Sequence, residues 1–383
     1  MTFTWSTEES KFRDRVVDFL RSELPSDWDR ISLHGPGSRE QTEFSLQFCP
    51  RLAEAGLLVP HWPKQYGGHD GSTWEHLILG EEMWSAGEPR GPQYMNVNWI
   101  GPTLMRFGSG EQQRRYLPEI GAGKAIWRQG FSEPSAGSDL FSLRTFAQRE
   151  GDQYIINGSK IWTSYAALAD HCFLLARVGG KRREGVCIFL IDMKTPGISV
   201  RAIPSLIGEG DIHEVFFRDV AVPAGSLLGE EGAAASIIKF ALGHERVGIA
   251  RYELARRTLD AAVGRLKEQG SWRDSHIRFR AGQALAACEA ARLLVYNVAD
   301  MRARGLPPSA DASLARVAVI GADHAVANFA LEFLPGAFLA GDLPQLLRHH
   351  ERAIVAGIAS GAAEVQLDII AQSHLELPRV SSP

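Results

Sequence analysis

Polar and apolar positions follow three successive rhythms along this chain. Ser6-Thr7-Glu8-Glu9 sets a hydroxyl and, three residues on, a carboxylate ahead of Phe12, Val16, Phe19 and Leu20. That is an S-x-x-E capping box leading into apolar residues at helical spacing, and it predicts an amphipathic helix. Further helical segments run to about residue 120, divided by Gly/Pro-rich breaks at His61-Trp62-Pro63 to Gly71 and at Gly87 to Pro92. From Ile126 to about Pro223 the rhythm shortens to β-rich runs, Tyr154 to Ile156, Cys172 to Val178, Val186 to Asp192 and Val215 to Val222, separated by Gly-Asp, Gly-Gly and Pro-Gly turns. From Ala233 onward Ala/Leu/Arg-rich helices return, broken near Gly270, near Pro307-Pro308 and between Leu334 and Pro344. Helix, sheet and helix in succession predict an α+β fold with segregated layers rather than βαβ winding.

One residue of the last region breaks its own pattern. Along a helix predicted from Ser236 to Leu266, at about 100° per residue, Ile238, Ala241, Leu242, Ile249 and Tyr252 form an apolar stripe with Glu245 in its middle. The neighbours three and four positions away, Ala241, Leu242, Gly248 and Ile249, carry no cation. Such a carboxylate either pairs with a buried arginine from another element or sits at a wet interface, which is the commoner fate. Unpartnered, it is pushed up toward the range where it exchanges protons near neutrality. The pattern alone leaves both open.

A chain of 383 residues with 45% hydrophobic content can bury more than one core, and its length predicts two or three domains. The net charge of -4, with both signs interspersed, argues against nucleic-acid binding or a polybasic membrane patch and for small-molecule ligands. Cys49, Cys172, Cys187 and Cys288 lack C-x-x-C spacing, so they are expected to be buried free thiols in a reducing, cytoplasmic setting, with no metal bound. The start Met1-Thr2-Phe3-Thr4-Trp5 lacks the order of a signal peptide, and no apolar run approaches about 18 residues, so neither secretion nor a membrane span is expected.

The chemistry concentrates in residues 129–164, QGFSEPSAGSDLFSLRTFAQREGDQYIINGSKIWTS. The loop Pro134-Ser135-Ala136-Gly137-Ser138-Asp139 has no bulky side chain, so its backbone N–H groups can approach an anion such as phosphate. The segment has no G-x-G-x-x-G, and the chain has no G-x-x-x-x-G-K-[ST], so a dinucleotide would have to be held in another way. By itself Ala-Gly-Ser-Asp is most often an ordinary turn. Here Glu133-Pro134-x-Ala136-Gly137-Ser138-Asp139 is followed by Tyr154-Ile155-Ile156-Asn157-Gly158-x-Lys160-x-Trp162, and the two blocks together resemble the acyl-CoA dehydrogenase signature. WPKQYGG at 62–68 and FGSGEQQRRYLPEI at 107–120 also look like landmarks of that family.

The resemblance implies a helical N-terminal domain (1–125), a β-barrel middle domain (126–232) and a C-terminal four-helix bundle (233–383). It implies FAD as cofactor and α,β-desaturation of an acyl-CoA thioester. Members similar to isovaleryl-CoA, long-chain and steroid side-chain dehydrogenases carry their base in an L-x-x-E-R context, here Leu242-Gly243-His244-Glu245-Arg246. The other family position for a base lies in an E-G-T loop that reads Ser360-Gly361-Ala362, so the resemblance assigns the α proton to Glu245. The β hydride passes to flavin N5, and the thioester oxygen is polarised by the flavin ribityl hydroxyl and the backbone N–H of Ser360.

Position by position, the resemblance lays Phe131 and Ser132 along the isoalloxazine, brings the Gly137-Ser138 turn to the pyrophosphate, sets Trp162 over the flavin face and brings Ser164 near N5 or O4. Without the motif, Phe131 and Trp162 read as core aromatics and the serines as turn residues. Gln129 stands where the family often has an aromatic residue. Family homotetramers complete each FAD site with an R-x-x-F-G and a Q-x-x-G-G segment from a neighbour. Here those stretches read RDSHIRFRA (273–281) and NFALEFLPG (328–336), as happens in α2β2 members with a diverged partner. The expected partners are an acyl-CoA, an electron-transfer flavoprotein, and a homologous subunit or a homo-oligomer. Fatty-acid or steroid side-chain oxidation is the implied setting. Two other readings stand beside this one: a non-catalytic cofactor-binding subunit, and a flavin monooxygenase on the same fold, which needs no α-proton base.

Overall fold

The computed structural model describes residues 4–179, 182–207, 212–245, 250–306, 309–359 and 361–378; the side chains of 182, 183, 244, 245 and 339 lie outside the description. The chain forms two compact units, Met1–Asp29 with Ser72–Gly87 and Arg246–Pro383, and Arg30–Gly71 with Glu88–Glu245.

The first unit is helical. Thr7–Glu23 starts with the predicted capping box, Ser6 accepting from Glu9 N–H while the Glu9 side chain accepts from Ser6 N–H, and it buries Phe12, Val16 and Leu20. Thr73–Ser85 repeats the device with Ser72 and Glu75. Tyr252–Glu268, Ser275–Ala303, Asp311–Phe333 and Pro344–Val355 pack on one another as a four-helix bundle, with Asp311–Phe333 touching the other three. That central helix corrects one expectation. It is long and apolar enough to cross a membrane by length and composition, with mean hydropathy 1.3. Its position explains the apolarity, because it is the bundle's core helix, and 56% of its apolar window is buried. It also carries buried charge: Arg316 donates to Ala356 O at 2.7 Å, and Arg251 approaches Asp323 at 3.5 Å.

The second unit holds the sheet: β1 Trp127–Gly130, β2 Phe146–Glu150, β3 Gln153–Ser164, β4 His171–Arg177, β5 Val186–Asp192, β6 Ile198–Ala202 and β7 Ile212–Pro223. The strand order is β1-β4-β2-β3-β7-β6, with β5 on the other side of β4. β4 and β5, the longest apolar runs, are the sheet's most buried strands and pack with Tyr154, Ile156, Val215, Phe217 and Val220. β1, β2 and β6, each only four or five residues long, escaped the sequence pattern. The helix Ala234–Glu245 lies on Gly101–Phe107 and β5, with Phe240 edge-on to Phe107 at 5.5 Å. The four cysteines are buried and unpaired.

The predicted helix Ser236 to Leu266 is not continuous. Ala250 and Arg251 are non-helical between the described helices Ala234–Glu245 and Tyr252–Glu268. Gly243 and Gly248 give this stretch weak helix propensity. The apolar stripe therefore cannot be carried at a constant angle as far as Tyr252. Residues 246–249 lie outside the described residues.

Candidate active site

β1 runs parallel to β4, and the chain leaves the sheet after Gly130, where an added Cβ would lie 2.9 Å from Cys172 Sγ. The next three residues are tied to β3. Lys160 Nζ donates to Phe131 O at 3.1 Å and to Glu133 Oε1 at 2.7 Å, and Ile161 N–H donates to Ser132 O at 2.9 Å. The Glu133 carboxylate also accepts from Arg144 N–H (2.6 Å) and Thr145 N–H (2.9 Å), which anchors the far end of the loop. Both charges are buried, Lys160 completely. Burial pushes the Glu133 carboxyl up, but the Lys160 ammonium and the converging donors outweigh it and hold the group below its ordinary value. Burial pulls Lys160 down, to about 8, against the opposing pull of Glu133.

Inside this clamp the loop is tight. Glu133 N–H and Ala136 N–H bond reciprocally to Ala136 O and Glu133 O, which consumes the Ala136 N–H and buries that residue. Gly137 and Ser138 are exposed, and no bond from either N–H to another described residue is recorded. A Cβ at Gly137 would meet nothing within 4 Å. The Ala136 N–H is thus lost to the anion-facing donors expected of the loop, while those of Gly137 and Ser138 remain open.

β3 contains the sharpest local departure. Its pairing with β7 runs Lys160 to Val215 and then Thr163 to His213, so Ile161 and Trp162 together oppose a single residue. This is a β-bulge, and Trp162 occupies it at φ 60, a left-handed conformation that a bulky side chain adopts only when its surroundings enforce it. Strand parity would place Trp162 with the inward residues Tyr154, Ile156 and Lys160. The extra residue turns the indole outward, 57% exposed, and sends Thr163 inward. Among the described residues the buried Thr163 Oγ1 has no hydrogen-bond partner, nor has the buried Gln129 Oε1 on β1. His213 backs the bulge: its Nδ1 accepts Ala166 N–H at 3.2 Å, which leaves the proton on Nε2, and burial depresses its basicity.

The structure therefore brings Phe131 and Ser132 directly against Ile161-Trp162, with Ser164 half-buried two residues on and the Gly137-Ser138 turn on the same clamp. The Phe131 ring lies in the core, 6.2 Å from both Trp99 and Phe173, as the core-aromatic reading had it; Trp162 does not. Glu245 is the last described residue of Ala234–Glu245, with its side chain outside the described residues, and Ser360 is outside them altogether. Sequence reasoning assigned no role to the Glu133–Lys160 pair, to Thr163 or to His213. The parity that puts Lys160 among inward apolar residues was the available clue to the pair.

Three family models match in chain order: acyl-CoA dehydrogenase N-terminal domain over residues 6–124, middle domain over 129–220 and C-terminal domain over 234–375. The acyl-CoA dehydrogenase IpdE1 of Mycobacterium tuberculosis (strain ATCC 25618 / H37Rv) is 32% identical over 380 residues, covering 96% of this chain and 98% of that protein. The chain belongs to the acyl-CoA dehydrogenase family. Among solved structures, the Tcur3481-Tcur3483 steroid ACAD matches with a TM-score of 0.88 at 29% identity, over 99% of this chain and 100% of that one. The ChsE4-ChsE5 complex from Mycobacterium tuberculosis matches with a TM-score of 0.89 at 27% identity, over 99% and 100%. As a family member the protein is an FAD-dependent acyl-CoA dehydrogenase with a helical N-terminal domain, a curled middle sheet and a helical C-terminal domain. The residues around the Trp162 bulge suit such a cofactor, with an exposed aromatic face, orphaned hydroxyl and amide oxygens, and open backbone donors at Gly137 and Ser138.

Proposed function

We propose that this chain is the base-carrying, flavin-binding subunit of a heteromeric acyl-CoA dehydrogenase acting on a bulky thioester of the steroid side-chain type. The observation that carries the flavin assignment is Trp162, held in a strained bulge with its indole in the open beside Ser132 and the Gly137-Ser138 turn.

FAD, when bound, supplies the acceptor for the hydride leaving Cβ. Trp162, Phe131, Ser132 and Ser164 would hold its ring system, and Gly137 and Ser138 would hold its pyrophosphate on backbone donors. Glu245 removes the α proton. That proton is acidic only if charge moving onto the thioester oxygen is met by a donor, and the Ser360 N–H is assigned there. A backbone donor does not depend on the side chain, so serine at 360 is compatible with the role. We place the domain boundaries at 125 and 232 and the enzyme in the cytoplasm, with an electron-transfer flavoprotein as oxidant.

Two observations support a heteromer. In the stretches that replace the family's trans segments, Arg280 pairs with Glu332 at 2.9 Å and Arg278 donates to Trp272 O and Arg273 O at 3.0 and 2.6 Å, so these cations are engaged within the chain. The names of the two solved structures above describe pairs of chains. The test is expression alone and with a homologous partner, followed by anaerobic flavin bleaching over a panel of CoA thioesters. Flavin-poor protein alone, rescued by the partner, supports the proposal; full FAD occupancy and turnover in a homomer overturns it.

A further inference from the structure

The end of β3 holds two left-handed residues only three positions apart, Trp162 at φ 60 and Tyr165 at φ 57. Neither is a glycine, so the segment keeps this shape only where its surroundings over-determine it. Ser164 stands between them, and Trp162 and Ser164 are among the residues proposed to hold the flavin ring system. One side chain braces the segment. His213, on β7 opposite Thr163 and only 2% exposed, accepts Ala166 N–H on Nδ1 at 3.2 Å, and its ring also bonds the Thr163 backbone. A single imidazole thus ties down the residue after Trp162 and the residue after Tyr165.

We infer that His213 is a positioning residue for the flavin: neutral, it holds Trp162–Ala166 in the shape that receives the cofactor, and protonated, it releases that shape. The inference deepens the flavin-binding reading and rests on it. An imidazolium carries a proton on both ring nitrogens, so Nδ1 then turns a donor toward Ala166 N–H, and the bond that closes the segment is lost. Because the flavin contacts sit on that segment, FAD binding favours neutral His213. Burial depresses the basicity of His213, against the bond to Thr163, which puts its protonation below the ordinary imidazole value of 6.5. The bound state excludes a proton that the free state takes up. Affinity is therefore complete above that range and falls as pH drops through it, by up to about tenfold per pH unit for one proton. The charged groups of the neighbouring elements are engaged elsewhere: Lys160 of β3 pairs with Glu133, Arg201 of β6 pairs with Glu214 of β7, and Ala166–Leu168 carries none. Glu209 and Asp211, which precede His213 in the chain, lie outside the described residues.

The test measures the FAD dissociation constant of the co-expressed complex, stripped of flavin and titrated by fluorescence, in steps from about pH 8 to about pH 5. Amide exchange of the peptide carrying Ala166, corrected for the intrinsic pH dependence of exchange, is followed in parallel. Wild type should lose about tenfold or more in affinity over the acid half of the range, with Ala166 exchange rising in step. His213→Asn keeps an acceptor for Ala166 N–H and does not titrate, so it should match wild type near neutrality and lose the acid dependence. That variant also separates His213 from His171, whose basicity burial depresses as well. His213→Leu fills similar space without an acceptor and should bind FAD about tenfold more weakly at every pH, the worth of one hydrogen bond. The wild-type profile needs no substitution, so poor folding of His213→Leu leaves the test intact.

A flat wild-type profile, even with a urea midpoint that falls in acid, makes His213 a support of the fold alone; it overturns the inference and leaves the flavin site standing. An acid loss of affinity that His213→Asn retains also overturns it. Ala166 exchange that rises in acid and is held down by His213→Asn, in a complex that binds no FAD at any pH, supports the brace and removes the flavin reading instead.

Discussion

Lys160 and Glu133 form a buried ion pair, 2.7 Å apart, that fastens the loop after β1 to the strand carrying Trp162. The pair closes two further hydrogen bonds to Arg144 and Thr145 N–H and one to Phe131 O, so removing either member strands several groups at once. Lys160→Met should destabilise the protein by about 3–5 kcal/mol, because it leaves a buried carboxylate without its counter-charge. Glu133→Gln, which keeps an acceptor for the backbone donors, should cost less. Urea denaturation of the apoprotein, with flavin content measured separately, checks both. A Lys160→Met midpoint equal to wild type would mean that the clamp does not hold the loop.

Trp162 makes an opposite forecast. A bulky residue at φ 60 carries strain of about 1–3 kcal/mol, and glycine there relieves it at a backbone-entropy cost of about 0.5–1 kcal/mol. The indole is 57% exposed, so little buried area is lost with it. Trp162→Gly apoprotein should therefore be as stable as wild type or up to about 2 kcal/mol more so, while FAD binds about tenfold more weakly. A plain core aromatic gives the reverse pattern, a large loss of stability with no specific effect on flavin.

The same residue shows how far the sequence could be read. The three-part layout and the β4 and β5 cores follow from apolar runs whose meaning is local, and the Ser6-to-Glu9 cap from a single contact pair. Simple alternation along β3 would put Lys160 inward, and there it is. Alternation would also put Trp162 inward, and it does not hold there because a one-residue bulge lies between Lys160 and Thr163, a property of pairing with β7 rather than of β3 itself. A second slip, with Asp219 at φ 49 on β7 and Asn157 opposite exchanging bonds with it, was equally invisible. The break at Ala250 and Arg251 belongs to the same class: the helical pattern continued to Leu266, and the backbone did not.

Burial sets the acid limb of stability. His171, His213 and His349 are each depressed below the ordinary imidazole value, with burial the largest cause. Each is then more basic unfolded than folded, so the unfolded chain takes up more protons as pH drops through about 6.5 and stability falls. Above that pH their contribution is complete. Glu133, held below its ordinary value, adds a second loss that begins near its unfolded value of 4.5 and finishes as pH passes its lower folded value. Denaturation midpoints followed from about pH 8 down to well below 4.5 should show both stages. His213→Asn, whose side-chain oxygen can replace Nδ1 as acceptor for Ala166 N–H, should shrink the first stage only; an unchanged first stage would exclude His213 as a contributor.

Glu245 is the last described residue of the helix Ala234–Glu245, on which Phe240 lies edge-on to Phe107. Its replacement by glutamine removes the proton acceptor and keeps the volume, so the folded complex and its flavin should survive. A positioned base contributes about 10²- to 10⁴-fold to proton removal, and the rate of flavin bleaching by a cognate thioester should fall by that factor. Binding of the thioester should change little, because the lost interaction matters in the transition state more than in the ground state. The pH profile separates chemistry from structure: wild-type bleaching should lose rate toward acid as the carboxylate is protonated, and Glu245→Gln should lose that limb. Bleaching at the wild-type rate with the acid limb intact would move the base to another carboxylate and leave Glu245 as a structural residue at the end of its helix.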